Sequence, residues 1–135
     1  MNATMDKTPP PVYIVDGLRT PFLKAKGAAN PFSAADLAVE AGRSLLLRQP
    51  FGPQAIEEVI LGCVAPAADE MNLARIAALR LGLDEKIPAW TVQRNCASGL
   101  QALDSAIMSI QSGRAGLVLA GGTETMSRAP FQLRL

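Results

Sequence analysis

The chain has 135 residues and a formal net charge of +1, with 49% apolar and 19% charged residues. This length suits one ordinary domain or a piece of a larger one, and it is long enough to bury a core. The scattered basic residues and the aromatic content of 4% exclude a nucleic-acid interface. No stretch approaches the ~18 apolar residues that span a membrane, so no membrane partner is expected. The charged fraction lies below the roughly 25% of typical soluble domains, which indicates that part of the surface meets protein.

The N-terminal residues are polar, end in three prolines and lack the apolar run of a secretory signal, so we predict a disordered leader over residues 1–11. The chain contains two cysteines, Cys63 and Cys96, and no histidine. This combination argues against a structural zinc site and against a disulfide framework, so no metal is expected. A reducing, cytoplasmic location is therefore predicted.

A short β-rich run at residues 12–15 predicts the first strand, and a loop rich in Gly, Ala and Lys follows it. Ser33 and Asp36 have the spacing of a capping box, which predicts a helix that continues to about Arg48 and stops before Pro50. Apolar residues at helical spacing support this helix: Leu37, Ala38, Ala41 and Leu45.

The sequence of residues 56–64 predicts half a helical turn that leads into a buried strand. Asn72 is the expected cap of a second helix, which Gly82 ends. A strand over residues 89–93 comes next, followed by a third helix from Ala97.

Ser112 and Gly113 end the third helix, and residues 116–120 predict a last apolar strand before Gly121 and Gly122. Strands and helices thus alternate from the first strand to the last. The order predicts the α/β class, with a mostly parallel sheet flanked by helices and right-handed crossovers.

Cys96 stands where the third strand is expected to turn into the third helix. The first turn of a helix has unpaired amides and a positive dipole end, an effect of about 1 kcal/mol that would lower the pKa of a thiol from its ordinary ~8.5. These amides could also form part of an oxyanion pocket for an acyl group on Cys96. Ligands of parallel sheets bind at the carboxyl ends of the strands, so Gly121 and Gly122 are expected to share this site.

Four segments are similar to motifs of the thiolases, the acetyl-CoA acetyltransferases and 3-ketoacyl-CoA thiolases. Residues 92–102 (Val-Gln-Arg-Asn-Cys-Ala-Ser-Gly-Leu-Gln-Ala) resemble the nucleophile motif, and residues 15–22 (Val-Asp-Gly-Leu-Arg-Thr-Pro-Phe) resemble the first strand and turn. Residues 72–75 (Asn-Leu-Ala-Arg) resemble an Asn-Pro-Ala-Arg helix start, and residues 120–127 (Ala-Gly-Gly-Thr-Glu-Thr-Met-Ser) a Gly-Gly-Met-Glu-Ser-Met-Ser stretch. The resemblance covers residues 12–135, which it identifies as a partial thiolase N-terminal domain.

The resemblance implies that Cys96 takes an acyl group from acyl-CoA or acetyl-CoA, in thiolysis or Claisen condensation, with its own amide helping to hold the thioester oxygen. CoA would be substrate, with no further cofactor, and the enzyme would be a homo-oligomer. Thiolases complete the site from a C-terminal half that brings a Gly-His-Pro histidine, an oxyanion loop and a second cysteine. The isolated chain is therefore expected to be inactive. Three departures from the motifs, Leu73, Thr123 and Thr125, bear on the subfamily.

Several of these residues have plainer interpretations. Cys63 lies in an apolar run and is expected to be a small buried hydrophobe. Asn95 could be only a helix cap and Arg94 only a solvated charge. Arg75 and Glu124 are expected to be structural, and no catalytic role is assigned to them.

Two other functions compete with a thiolase. The low charged fraction also suits a non-catalytic module, either a truncated product or a subunit that pairs with a separate chain carrying the other half. The related ketosynthases of fatty-acid synthesis also place a cysteine at a helix start. The segment at residues 121–127 (Gly-Gly-Thr-Glu-Thr-Met-Ser) favours thiolase over ketosynthase.

Overall fold

A computed structural model describes residues 9–25 and 30–129 of the chain. Residues 1–8 of the predicted leader lie outside the described residues, and residues 9–11 are in neither helix nor strand. The regular elements are, in chain order, α1 (Ala34–Leu46), β1 (Glu58–Gly62), α2 (Leu73–Arg80), β2 (Ala89–Val92), α3 (Ser98–Gln111) and β3 (Val118–Gly122). Short 3-10 helices lie at Pro53–Ala55, Ala68–Glu70 and Met126–Arg128.

The three strands form one parallel sheet in the order β2-β1-β3. Ile60 in the middle of β1 lies opposite Trp90 of β2 and Ala120 of β3. All five residues of the central strand are buried. The predicted α/β fold with a parallel sheet flanked by helices is therefore confirmed.

Side chains alternate between the two faces of β1, so each face of the sheet has its own core. Val59 and Leu61 pack with residues of α1 and α2, whereas Ile60 packs with Ala102 and Ala106 of α3. The molecule thus has three layers, with the sheet in the middle. In residues 9–25 and 30–129, no helix is both long and apolar enough to cross a bilayer.

Local hydrogen bonds fix the starts of α1 and α2 as the sequence predicts. The Asp36 amide donates to the Ser33 hydroxyl at 3.1 Å, and the Ser33 amide donates to the Asp36 carboxylate at 2.9 Å, completing the capping box. Asn72 caps α2 by accepting from the Arg75 amide at 3.4 Å. After this helix the chain turns at Gly82, whose φ of +77° suits glycine.

The predicted first strand is wrong: residues 12–15 are in neither helix nor strand. An apolar cavity of about 330 Å³ lies between this segment and the β3 side of the sheet, and the residues Tyr13 and Ile14 are 77% and 83% exposed. The segment is held instead at Asp16, which accepts from Arg48 at 2.8 Å and Gln49 at 2.7 Å. A β-rich sequence forms a strand only where a partner strand can pair with it, and this segment has none within the described residues.

Glu58 joins the sheet to α3 at the start of β1 and is 4% exposed. One carboxylate oxygen accepts from the Trp90 indole at 2.9 Å, and the other accepts from the hydroxyl of Ser109 on α3. Burial of a carboxylate is costly unless such donors satisfy it. Glu58 therefore fixes α3 on the sheet at the end opposite Cys96.

Candidate active site

Glycines bring the start of α3 onto the carboxyl ends of the strands. Gly62, the last residue of β1, lies opposite Val92 and Gly122, the last residues of its two neighbours. A Cβ on Gly62 would lie 2.6 Å from the Gly99 amide nitrogen and closer still to the Ser98 carbonyl group. Only glycine allows so close an approach between two backbones.

Gly122 allows a second close approach at the same edge, because a Cβ there would lie 3.0 Å from Cα of Gly99. The amide of Thr123 then donates to the carbonyl of Gly62 at 3.0 Å. Of the glycine pair expected at this site, Gly122 thus meets the start of the third helix, whereas Gly121 lies against the side chain of Leu61.

Cys96 belongs to the turn between β2 and α3 and is exposed. The helix begins at Ser98, with Ala97 as the N-cap, so Cys96 precedes the first helical turn rather than lying in it. The side chain of Asn95 does not cap α3, which was one interpretation of this residue. Asn95 has a φ of +48°, in the left-handed region that Asn enters more readily than most residues. The thiol therefore follows directly after a strained backbone residue.

Ser98 holds this turn with its hydroxyl, a role that the sequence analysis did not identify. The hydroxyl accepts from the Arg94 amide at 2.8 Å and donates to the Asn95 carbonyl at 2.7 Å. The amide of Ser98 donates to the same carbonyl at 3.1 Å. Serine side chains often donate to the backbone carbonyl three or four residues earlier, and this local pattern could have suggested the bond to Asn95.

The two cysteines have opposite surroundings. The side chain of Cys63 follows β1 and is 1% exposed, as predicted for a small buried hydrophobe. Burial, together with the negative charge of Glu124, raises the pKa of the Cys63 thiol from 9.0 to about 12. Cys63 is therefore a protonated thiol at neutral pH, and of the two cysteines Cys96 carries the accessible thiol.

The charged residues of the recognised motifs hold loops in place. Glu124 accepts from the Val64 amide at 2.7 Å and so ties the segment after β3 to the segment after β1. Arg75 donates to the carbonyl groups of Glu85 and Ile87 at 2.8 and 3.2 Å. Both contacts agree with a structural role.

Arg94 is exposed and donates to the side chain of Gln101 at 2.6 Å, so it is more than a solvated charge. Among the residues that the structure describes, no three His, Cys, Asp or Glu side chains group as metal ligands would. The chemistry available at this edge of the sheet is that of an accessible thiol beside helix amides.

Residues 12–135 match the sequence model of the family described as thiolase, N-terminal domain. The chain belongs to the thiolase family. It is 45% identical over 121 residues to 3-oxoadipyl-CoA/3-oxo-5,6-dehydrosuberyl-CoA thiolase of Escherichia coli, covering 88% of this chain and 30% of that protein. It is 43% identical over 122 residues to β-ketoadipyl-CoA thiolase of Pseudomonas knackmussii, covering 89% of this chain and 30% of that protein.

Solved thiolase structures share the fold. The human mitochondrial 3-ketoacyl-CoA thiolase in complex with CoA matches with a TM-score of 0.82 and 36% identity, over 88% of this chain and 31% of that chain. The acetyl-CoA acetyltransferase of Bacillus anthracis matches with a TM-score of 0.73 and 40% identity, over 77% of this chain and 26% of that chain. The chain thus spans about 30% of the length of the curated relatives it matches.

Proposed function

We propose that the protein is an acyl-CoA acyltransferase of the thiolase type and that Cys96 is its nucleophile. The observation that carries the proposal is the exposed thiol of Cys96 immediately before α3, at the edge where all three strands end. The names of the relatives support a CoA thioester as substrate, because the matched proteins are CoA thiolases and one was crystallised with CoA.

The first half-reaction moves an acyl group onto the sulfur. The Cys96 sulfur attacks the thioester carbonyl carbon, a new carbon–sulfur bond forms, and the carbonyl electron pair moves to the oxygen. Collapse of this intermediate breaks the bond to the CoA sulfur, and the thiol proton of Cys96 ends on the departing CoA. The amide of Cys96 would help to stabilise the negative oxygen, whereas the amides of Ala97 and Ser98 already donate to the carbonyls of Arg94 and Asn95.

In Claisen condensation, a second acyl-CoA then loses a proton from its α-carbon, and that carbon attacks the carbonyl of acyl-Cys96; a carbon–carbon bond forms, the bond to the Cys96 sulfur breaks, and 3-ketoacyl-CoA leaves. Thiolysis is the reverse: Cys96 attacks the 3-keto carbon of 3-ketoacyl-CoA, the carbon–carbon bond breaks with protonation of the released acyl-CoA, and CoA takes the acyl group from Cys96. Both directions need groups that move protons. The chain contains no histidine. We therefore propose that the isolated 135-residue chain accepts an acyl group slowly and does not turn over acetoacetyl-CoA.

Labelling of the two cysteines tests this proposal. Trypsin releases residues 49–75 and 95–114 as separate peptides, each with one cysteine, so mass spectrometry can follow Cys63 and Cys96 independently. Both iodoacetamide and acetyl-CoA are expected to modify Cys96 faster than Cys63. The variant Cys96→Ser should lose the acetyl label, whereas Cys63→Ser should keep it. Preferential modification of Cys63, or turnover of acetoacetyl-CoA by the isolated chain, would contradict the assignment.

We also propose that the chain associates with a second copy of itself. The alternative function, a non-catalytic interaction subunit, predicts the same association. One face of α3 exposes apolar side chains, with Leu100 at 70%, Leu103 at 38% and Ile107 at 42% exposure. An apolar helix face of this kind is typical of a protein contact. We expect light scattering to show a homodimer at micromolar concentration; a stable monomer would contradict it.

A cytoplasmic location completes the proposal. It is supported by the two free cysteines, which the fold leaves unpaired. Recovery of the protein in the cytoplasmic fraction of cells is the expected result, and recovery in an exported fraction would contradict it.

A further inference from the structure

We propose that Ser98 is a positioning residue for Cys96, whose hydroxyl holds the turn that presents the thiol to a thioester. This inference rests on the proposed function, because it gives Ser98 a part in acyl transfer to Cys96. It extends that function to a side chain that touches no substrate and acts through the backbone of its neighbours.

The hydroxyl of Ser98 bonds both sides of the residue pair before the thiol. It accepts the Arg94 N–H at 2.8 Å and donates to the Asn95 carbonyl at 2.7 Å. Ser98 is only 4% exposed, so water cannot readily replace either bond. A single hydroxyl thus uses its donor and an acceptor position to close a ring around the Arg94–Asn95 pair.

The backbone of this pair needs such support. Asn95 has a φ of +48°, a sparsely populated conformation that persists only where neighbouring groups impose it. Its amide has one further contact, a 3.5 Å bond to the Gln93 side chain. Because Cys96 follows Asn95 directly, the direction of its Cα–Cβ bond depends on the torsions that Ser98 fixes.

Ser98 is itself held in place by the sheet. Its carbonyl group lies against Gly62, where even one added carbon atom would not fit, and the neighbouring Gly99 lies against Gly122. The hydroxyl is therefore fixed relative to the strand ends. Through it, the position of the Cys96 sulfur is set by the sheet and not only by a flexible turn.

Acyl transfer depends on this geometry more than simple alkylation does. Attack on a thioester requires the sulfur to approach the carbonyl carbon from one direction while an amide holds the oxygen. Alkylation by iodoacetamide requires access to the sulfur and no oxyanion contact. Loss of the Ser98 hydroxyl should therefore separate the two reactions of the same cysteine.

The test compares Ser98→Ala, Ser98→Thr and Ser109→Ala in the 135-residue chain. Ser109 is a matched control because it lies on the same helix with the same 4% exposure, yet bonds Glu58 and not the turn. Acetylation by acetyl-CoA and alkylation by iodoacetamide are measured on the two tryptic peptides, residues 49–75 with Cys63 and residues 95–114 with Cys96. Hydrogen exchange at the Arg94 amide is measured in parallel, with the Ile60 amide in β1 as reference.

In Ser98→Ala, we expect acetylation of Cys96 to fall by about tenfold to a hundredfold, the loss typical of a misplaced reacting group. Alkylation of Cys96 should change by less than about threefold if access alone governs it. Cys63 should stay protected, and the Arg94 amide should exchange faster than in the unchanged chain. Ser98→Thr should restore acetylation. Ser109→Ala removes one donor from the buried Glu58 carboxylate and should cost stability, but it should leave the ratio of acetylation to alkylation at Cys96, and the exchange of the Arg94 amide relative to Ile60, as in the unchanged chain.

The contrary outcomes are distinct. If the unchanged chain acetylates Cys96 and Ser98→Ala does so equally fast, the positioning role is overturned while the proposed function stands. Rapid labelling of Cys63 in Ser98→Ala would show general loosening of the fold and would also overturn it. No acetylation of Cys96 in the unchanged chain contradicts the proposed function itself. Unchanged exchange at Arg94 overturns the inference whatever the acetylation result.

Discussion

The Glu124 carboxylate lies 3.5 Å from Sγ of Cys63, a carboxylate beside a buried thiol. The same side chain accepts from the amides of Val64 and Ala65 at 2.7 and 3.3 Å, so two backbone donors balance its charge. Burial first, and the Glu124 charge second, raise the pKa of Cys63 to about 12. The contact therefore keeps the Cys63 thiol protonated. It also holds together the segments that follow β1 and β3, at the end of the sheet where Cys96 lies.

This raised pKa predicts a loss of stability at alkaline pH. The folded chain keeps the Cys63 proton up to a pKa of about 12, whereas the unfolded chain releases it near the ordinary 9.0. The unfolded state binds fewer protons in that window, so the free energy of unfolding falls as pH rises through it. Urea unfolding across this pH range measures the effect.

The control for the alkaline effect is Cys63→Ala, in which the thiol is absent. Its stability should fall less steeply over the same pH range, because only the other titrating groups contribute. Parallel pH profiles for the two proteins would contradict the predicted proton linkage.

The glycine at the end of β1 makes a second prediction. In Gly62→Ala the new methyl group must displace the backbone of Ser98 or Gly99, since a Cβ would lie 2.6 Å from the Gly99 nitrogen. We expect a loss of about 1–3 kcal/mol in the free energy of unfolding, the range for overpacked sites. Gly17→Ala is the control because a Cβ there meets nothing within 4 Å. Equal stability of the two variants would show that α3 does not rest on Gly62.

Much of the fold could be predicted because its signals are local. Ser33 and Asp36 start a helix through bonds between residues three apart, and Asn72 does the same for α2. Whether residues 12–15 form a strand could not be predicted from local signals. The β-rich sequence of this segment is a local property, whereas pairing with another strand is a property of the whole sheet.

The capping box at the start of α1 gives a third prediction. The Ser33 hydroxyl accepts from the Asp36 amide at 3.1 Å and donates to the buried Glu70 carboxylate at 2.6 Å. Ser33→Ala should therefore cost about 0.5–2 kcal/mol, toward the upper end because Glu70 loses a donor. Ser44→Ala, which removes an exposed hydroxyl from the same helix α1, should stay within about 0.5 kcal/mol of the unchanged chain. Thermal unfolding of the two variants decides between these values.

The candidate site shows the same division between local and tertiary information. The position of Cys96 before a helix follows from the pattern of apolar residues around it. The left-handed backbone of Asn95 and the bond from the Arg94 amide to the Ser98 hydroxyl do not, because they depend on how far the end of β2 lies from the start of α3. That distance is set by the contacts of Gly62 and Gly122 with the helix.

A fourth prediction concerns the proton that must leave Cys96 during acyl transfer. The chain has no histidine to take it. Free imidazole, the side-chain group of histidine with a pKa of roughly 6.5, is well matched to this task near neutral pH. We expect the rate of Cys96 acetylation by acetyl-CoA to rise in proportion to the concentration of neutral imidazole.

Imidazole can also react with acetyl-CoA in solution, so the protein sites must be compared with each other. Acetyl groups carried by imidazole in solution would appear on exposed lysines as well, for example Lys86. A base acting at the site accelerates only Cys96, and Cys63, at 1% exposure, should remain unlabelled in either case. If imidazole raises labelling of Lys86 and Cys96 by the same factor, the missing base is not what limits the reaction of Cys96.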